Sequence, residues 1–576
     1  MPSSIRVDCN VPMKTRDGTI LRADIYRPDD NSKHPAILFR TPYDKSLSAQ
    51  SDYLNIMQAA QAGYAIVVQD VRGRFASEGE WRRDSMFTVE GPDGYDTVEW
   101  IASEPWCDGN VGSAGGSYLA GLQWATAMES PPHLKAMAPW FGIWGAGMEP
   151  RPTGGAILLT VALAATPMMA VDVANRLERD GNDVTELRHA INWAMDNPEE
   201  SADFLPLKEF PLAQFDRIRE TWNMRLYPPP ASEQSKRQRF ENVMTPCFYA
   251  CGWYDIIEWA TFESYKMMRE RGGSARARQG QHILVGPWMH GKVHDFLGAL
   301  NFGQFAGIRQ AQVSEQNIAF FDKYLRGMDI EIPAVRYFVM GRNRWQTADD
   351  WPLPQTQWQQ FFFHSRGNAN TATGDGELSR DEPSLENPDI FVYDPHRPVP
   401  SIGGRVFGTG VVPGPLEQSR VEQRGDVLCY SSAELVEEVE VTGPLQVHLF
   451  ATTSARDTDF TAKLVDVYPD ASAFNIVEGI TRASGRKMNG VRELVTPGEV
   501  NEYVIQMGDT SQVFRKGHRI RIEISSSNFP MFDRNLNTGN PIGEDARGVS
   551  VTQTIYHQAG YASYIDLPII PSSREK

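Results

Sequence analysis

Gly109–Ala127 reads GNVGSAGGSYLAGLQWATA. A run of small residues leads into Ser117, and an amphipathic stretch follows it. The pattern predicts a short strand over 110–115, a tight turn at Ser117 and a helix over 117–128. A serine hydroxyl is a weak nucleophile. It needs a base to take its proton, a group that orients the base, and donors for the oxyanion that forms. A serine on a strained strand-to-helix turn also needs small neighbours, because strand and helix pack closely there. Gly115 and Gly116 precede Ser117, and Ala120-Gly121 follow its first helical turn. The strict G-x-S-x-G pattern is broken, since Leu119 stands at the final glycine position. A glycine-flanked serine is also common in ordinary loops, so this stretch alone leaves catalysis open.

The flanking sequence extends the same alternation. "PAILFRTPYD" and "GYAIVVQDVRGR" are continuous apolar runs that end in polar residues, as strands of a sheet covered on both faces should be. "SDYLNIMQAAQAG" between them reads as a helix closed by Gly63, and "GYDTVEWIASEPW" as a second helix. "DGTILRADIYRP" and "HLKAMAPWFG" are further strands. This βαβα order predicts a mostly parallel sheet. From 145 to 242 the signals are helical, with Val184, Leu187, Ile191 and Met195 at helical spacing. Strands return with "CFYACGWYD" and "HILVGPWMH", followed by a helix that carries Ile318, Phe321 and Leu325 on one face and stops at Gly327. "DWPLPQTQW" reads as a boundary. Beyond it, Leu445, Val447 and Leu449 alternate with polar residues. Ile520, Ile522 and Ile524 alternate with Arg519, Arg521 and Glu523, which predicts antiparallel sheets with one polar face, a sandwich or jelly roll.

Bulk properties narrow the function. The 576 residues exceed what one core accommodates. A net charge of −17 argues against nucleic-acid and anionic-membrane partners, which require a basic surface. The cysteines, Cys9, Cys107, Cys247, Cys251 and Cys429, are few, odd in number and without metal spacing. They predict no metal and a reducing, cytoplasmic compartment. The amino-terminal residues lack the apolar core of a signal peptide. The longest apolar run, "AILLTVALAATPMMAV" at 156–171, is too short to span a bilayer and predicts a buried or lid helix.

A base and an acid for Ser117 should lie at later strand ends. His290 follows the strand pattern "HILVGPW"; His294 is in the same loop, and His282 opens the strand at the wrong end. Asp255 ends "ACGWYD". Asp70 also ends a strand but precedes the serine, and a salt bridge to Arg72 or Arg74 is its expected role. Glu258, one helical turn beyond Asp255, is expected to be a solvated carboxylate.

"RTPYDK", "QDVRGRFASEGEW", "GGSYLAG", "GWYD" and "GPWMHG" occur in this order. Together they resemble the bacterial cocaine esterase and X-prolyl dipeptidyl aminopeptidase family of serine hydrolases, and the likeness covers nearly the whole chain. "YDPHRPVPSIGG" and "DTDFTAKLVDVYPD" look like that family's C-terminal jelly roll. The resemblance implies an α/β-hydrolase core with an inserted helical cap and a C-terminal jelly roll. The expected division is 1–144 and 243–352 for the core, 145–242 for the cap and 353–576 for the jelly roll. It implies Ser117 as nucleophile, Asp255 as acid and His290 as base. The Tyr43 hydroxyl and the Tyr118 N–H become the oxyanion donors. The family usually has glycine where Ala120 stands, and alanine is small enough for the turn to survive.

The expected reaction is two-step acyl transfer to water on a small-molecule ester, without cofactor. The acyl pocket should lie between core, cap and jelly roll, with Phe141 and Ile257 in its wall. Trp140 and Trp144 read as core residues. Amide or peptide hydrolysis is the first alternative. It would need a carboxylate for a free ammonium group, and Glu149 or Glu258 are the nearby candidates. A non-catalytic hydrolase-fold binding protein is the second. A homo-oligomer is compatible with either reading.

Overall fold

Eight strands build the first half of the structure, a computed structural model that describes residues 4–48, 51–81, 88–142, 153–227, 239–408 and 410–571. They are β1 (Ile5–Lys14), β2 (Ile20–Pro28), β3 (His34–Thr41), β4 (Ala65–Asp70), β5 (Cys107–Ser117), β6 (Leu134–Gly142), β7 (Cys247–Tyr254) and β8 (Gln281–Met289). They lie in the order β1-β2-β4-β3-β5-β6-β7-β8, and Val335–Val339 and Arg344–Ala348 complete a ten-stranded sheet. The stretch from β4 to Val335–Val339 is parallel, with antiparallel strands at both edges.

The continuous apolar runs follow from burial on both faces. Ala36, Leu38, Ala65 and Val67 enter a core that also holds Val98, Trp124 and Tyr265. Ile37, Phe39, Ile66 and Val68 enter the opposite core, with Tyr53, Phe320 and Leu325. Alternate residues of one strand thus feed two helical layers, which makes the central run of each strand continuously apolar. β1 carries no such signal, because as an edge strand it buries fully only Met13.

Between β6 and β7 the described residues are helical: Leu159–Arg179, Thr185–Asp196, Pro198–Asp203 and Asp216–Leu226. They close around their own apolar cluster, in which the Phe210 and Trp222 rings stack at 4.4 Å. Val184 and Ile191 are buried as their spacing predicts, whereas Met195 is exposed at the helix end. Among the described residues, no helix is long and apolar enough to cross a membrane.

From Gln357 onward the chain forms a twelve-stranded, mainly antiparallel jelly roll. The expectation of a polar outer face on Arg519–Ser525 is overturned, because Arg521 and Glu523 are buried. Arg521 pairs with Glu422 at 2.7 Å and Glu523 with Lys463 at 3.1 Å. The segment carrying Glu422 covers this face, so charge on alternate residues marks buried ion pairs here rather than contact with water. Trp144 and Glu149 lie outside the described residues.

Candidate active site

Parallel strands point their carboxyl ends to one edge, where loops can converge. Ser117 ends β5, Asp255 follows β7, His290 follows β8 and Tyr43 follows β3 by two residues. Ser117 has φ 57° and ψ −122°, a conformation that costs a non-glycine residue about 1–3 kcal/mol. The helix Tyr118–Met128 starts immediately after it. Gly115 sits at φ +138° with no room for a Cβ, which would come within 2.7 Å of Leu119 Cβ. The Gln123 side chain braces the turn, donating to the Gly115 carbonyl at 2.9 Å and accepting from the Ala138 N–H at 3.2 Å. Ala120 is fully buried opposite Gly142, where a Cβ would stand 3.0 Å from Ala120 Cβ. The turn accommodates alanine because its neighbour lacks a side chain.

His290 Nδ1 lies 2.9 Å from Asp255 Oδ1. Asp255 is wholly buried and His290 nearly so. A carboxylate only accepts, so Nδ1 carries the hydrogen and Nε2 is the basic nitrogen. The same Asp255 oxygen accepts the Ile257 N–H at 3.0 Å. The imidazole is held between two aromatic edges: Phe141, with centroids 4.9 Å apart, and Phe407, at 5.3 Å.

Ser117, His290, Tyr43 and Tyr118 share the lining of a cavity of about 360 Å³. Phe141 and Ile257 line it as well, and so does Trp140, which is otherwise a core residue bonded through Nε1 to Asn317 at 2.8 Å. The helix Leu159–Arg179 contributes Val161, Ala165, Met168 and Met169, and the jelly roll contributes Phe407. The apolar run at 156–171 signalled this wall; nothing local to Phe407 signals its role. Tyr43 is half-buried, its ring edge-on to Tyr118 at 6.2 Å, and its N–H donates to Thr41 Oγ1 at 3.0 Å.

The remaining expected residues separate. His294 is exposed and outside the cavity. His282 is at the opposite end of β8, bonded to the Pro333 carbonyl and the Tyr324 hydroxyl, and burial pushes its imidazole down to about 4. Asp70 pairs with neither Arg72 nor Arg74. It accepts the Lys45 N–H at 2.8 Å and faces Lys45 Nζ at 3.6 Å, so it braces the loop after Tyr43. Burial pushes its carboxyl up to about 6. Arg72 pairs with Asp93 and Asp17 instead. Arg74 donates to the Pro42 and Met169 carbonyls, both at 3.0 Å, and so links the Tyr43 loop to the cap helix.

Glu258 is not solvated. It is fully buried and receives a hydrogen bond from Arg405 of the jelly roll. Burial pushes its carboxyl up to about 7. It does not line the cavity. Among the described lining residues Asp52 is the one carboxylate, and it accepts the Val293 N–H at 3.2 Å. The five cysteines are unpaired, and burial pushes the Cys247 thiol up to about 12. Among the described residues, no group of three or more His, Cys, Asp or Glu side chains could hold a metal ion.

The chain is similar to known proteins along its length. Residues 17–292 match the X-Pro dipeptidyl-peptidase (S15) family, and residues 331–566 match the X-Pro dipeptidyl-peptidase C-terminal non-catalytic domain. The chain is 37% identical to the cocaine esterase of Rhodococcus sp. (strain MB1 Bresler) over 98% of both chains. It superposes on an α-amino acid ester hydrolase with a TM-score of 0.79 at 22% identity, covering 99% of this chain and 97% of that one. It superposes on an aminopeptidase from a marine sediment archaeon, Thaumarchaeota archaeon, with a TM-score of 0.78 at 24% identity and the same coverage. These two structures share the fold. With both halves matched and more than a third of its residues identical to a full-length relative, the chain belongs to the cocaine esterase and X-Pro dipeptidyl-peptidase family of serine hydrolases.

Proposed function

We propose that this chain hydrolyses carboxylic esters of small molecules through Ser117, His290 and Asp255. His290 Nε2 takes the Ser117 proton as Oγ attacks the ester carbonyl. Asp255 keeps the hydrogen on Nδ1 and stabilises the imidazolium. The Tyr43 hydroxyl and the Tyr118 N–H receive the oxyanion, and His290 then protonates the departing alkoxide. Water, activated by the same imidazole, releases the acid and restores Ser117. The observation that carries this reading is the 2.9 Å contact between His290 Nδ1 and Asp255 in a cavity that Ser117 also lines. The relative named for an ester substrate supports the same bond type.

The cavity wall favours an ester with an uncharged acyl group. Leu158, Val161, Met168, Ile256 and Trp259 line it. An amine-bearing peptide or amino-ester substrate needs a carboxylate free to pair with its ammonium group. Glu258 is taken by Arg405 and lies outside the lining; Asp52, which accepts the Val293 N–H, is the one described lining carboxylate that the amine-bearing alternative could use.

A fluorophosphonate probe, with intact-mass and peptide mapping, tests the nucleophile. One adduct on Ser117, lost in Ser117→Ala, is expected. No adduct on folded protein would favour the non-catalytic alternative. One acyl group presented as matched aryl ester and anilide tests the bond class, and faster anilide cleavage would reverse the preference for esters.

A further inference from the structure

The segment 399–408 of the jelly roll meets the catalytic sheet with two side chains, and one of them lies outside the cavity altogether. Arg405 is 8% exposed. Its N–H and Nε donate to Glu478 Oε1 at 2.9 and 3.2 Å, and Nη2 donates to the Met507 carbonyl at 2.7 Å and to the Glu478 carbonyl. Nη1 donates to Glu258 Oε1 at 2.5 Å. The Asp509 N–H, also from the jelly roll, donates to the same Glu258 oxygen at 3.1 Å. Between them Gly508 has φ +82°, and a Cβ there would stand 1.9 Å from Glu258 Oε1. The jelly roll backbone therefore closes on this carboxylate at a spot where only glycine fits.

Glu258 opens the helix Glu258–Arg271, three residues after Asp255. The residues between them form one hydrogen-bonded turn: the Ile257 N–H donates to Asp255 Oδ1 at 3.0 Å, and the Glu258 N–H to the Asp255 carbonyl at 3.4 Å. Anchoring Glu258 therefore anchors the turn that aims the Asp255 carboxylate. Two residues after Arg405, the Phe407 ring stands edge-on to His290. One segment of the C-terminal domain thus touches His290 directly, through Phe407, and holds Glu258 at the end of the Asp255 turn, through Arg405.

We propose that Arg405 is a positioning residue: across the boundary between the two β-systems, its guanidinium fork fixes Glu258 and hence the orientation of Asp255 toward His290. The inference rests on the hydrolase reading above. Arginine suits the task because its planar fork holds two carboxylates and two carbonyls in fixed directions, which a lysine ammonium cannot do. The family's C-terminal domain, described as non-catalytic, would then act on the reaction through geometry alone.

The test uses the full chain with Arg405→Met and Arg405→Lys. Active sites are counted by fluorophosphonate labelling, so that kcat refers to labelled sites. The His290 Nδ1–H proton is followed by its downfield proton resonance. Misplacement of a catalytic group by a fraction of an ångström to one ångström costs up to about 100-fold. Arg405→Met is expected to lower kcat per labelled site roughly 10- to 100-fold, with KM within about threefold and the resonance shifted or lost. Arg405→Lys is expected to show a smaller loss in the same direction. Wild-type kcat per site with an unchanged resonance in folded Arg405→Met would overturn the proposal and leave the arginine a structural residue. If Arg405→Met does not fold, Arg405→Lys decides by the same two readouts. A wild-type enzyme that takes no label on Ser117 overturns the hydrolase reading and this inference with it, whereas labelled wild type with unaltered variants overturns this inference alone.

Discussion

The Phe141 ring stands edge-on to the His290 imidazole, centroids 4.9 Å apart at 75°, and occupies the space a side chain on Gly116 would take. A Cβ at Gly116 would lie 1.9 Å from Phe141 Cζ. The glycine before Ser117 thus makes room for the ring that packs against the His290 imidazole. Phe141 has φ +30°, unusual for a bulky residue, so its backbone is held by its surroundings rather than by preference.

Gly116→Ala should displace the Phe141 ring. Overpacking of this kind costs typically about 1–3 kcal/mol. Activity should fall along with the urea midpoint. Phe141→Leu in the same chain should relieve the clash, so the double variant should be more stable than additivity predicts. Strict additivity across the four proteins would show that the two positions do not interact.

Tyr43→Phe should lower kcat by about 10²–10³-fold, the value of one oxyanion donor, and leave the fold intact. The ring contact with Tyr118 and the N–H bond to Thr41 Oγ1 are kept in this variant. Steady-state kinetics on an aryl ester, beside a circular dichroism melt, make the comparison. Unchanged kcat would remove Tyr43 from the oxyanion site.

Ala120→Gly should cost about 1 kcal/mol, the helix propensity difference, with kcat unchanged. Ala120 faces Gly142 across a gap that fits one Cβ. Gly142→Ala should crowd that gap, and adding Ala120→Gly should recover part of the loss. Urea unfolding of the two single variants and the double variant measures this.

Glu258 makes stability depend on pH. Burial, opposed by Arg405, raises its carboxyl to about 7 in the folded chain from its ordinary 4.5. The folded state then holds the proton more tightly than the unfolded state. Between about pH 4.5 and about pH 7 the unfolded chain has released it and the folded chain has not, so this group's contribution to stability falls as pH rises through that window. Glu258→Gln cannot ionise. Its urea midpoint relative to wild type should rise from about pH 5 to about pH 7.5 and then level off. A pH-independent difference would show that Glu258 titrates at its ordinary value.

Some features were legible because they are written in contiguous residues. Ile37, Leu38 and Phe39, like Ile66, Val67 and Val68, declare strands buried on two faces. Gly327, at φ +70°, ends its helix where the periodicity stops. The small residues around Ser117 announce a close approach, and the structure shows what approaches: Leu119 at Gly115 and Phe141 at Gly116. The strand-end places of Tyr43, Asp255 and His290 follow from the same runs.

Other features were not local, and local reasoning misjudged them. Glu258 and Glu523 look like surface carboxylates, yet both are buried against cations from distant segments, Arg405 and Lys463. Asp70 has arginines beside it in sequence but faces Lys45 of the neighbouring strand's loop.

By itself, then, the chain's own order of residues determined the central strands of the sheet, the main helices, the turn at Ser117 and the edge of the sheet to which four candidate side chains belong, because backbone preference and hydrophobic period act over a few neighbours. Only the tertiary structure decided which charges are neutralised by which, that Phe407 closes on His290, and that the cavity wall is shared by three parts of the chain. Those outcomes depend on burial, and burial is set by whichever segment, here up to 290 residues away from Ser117, comes to lie on top.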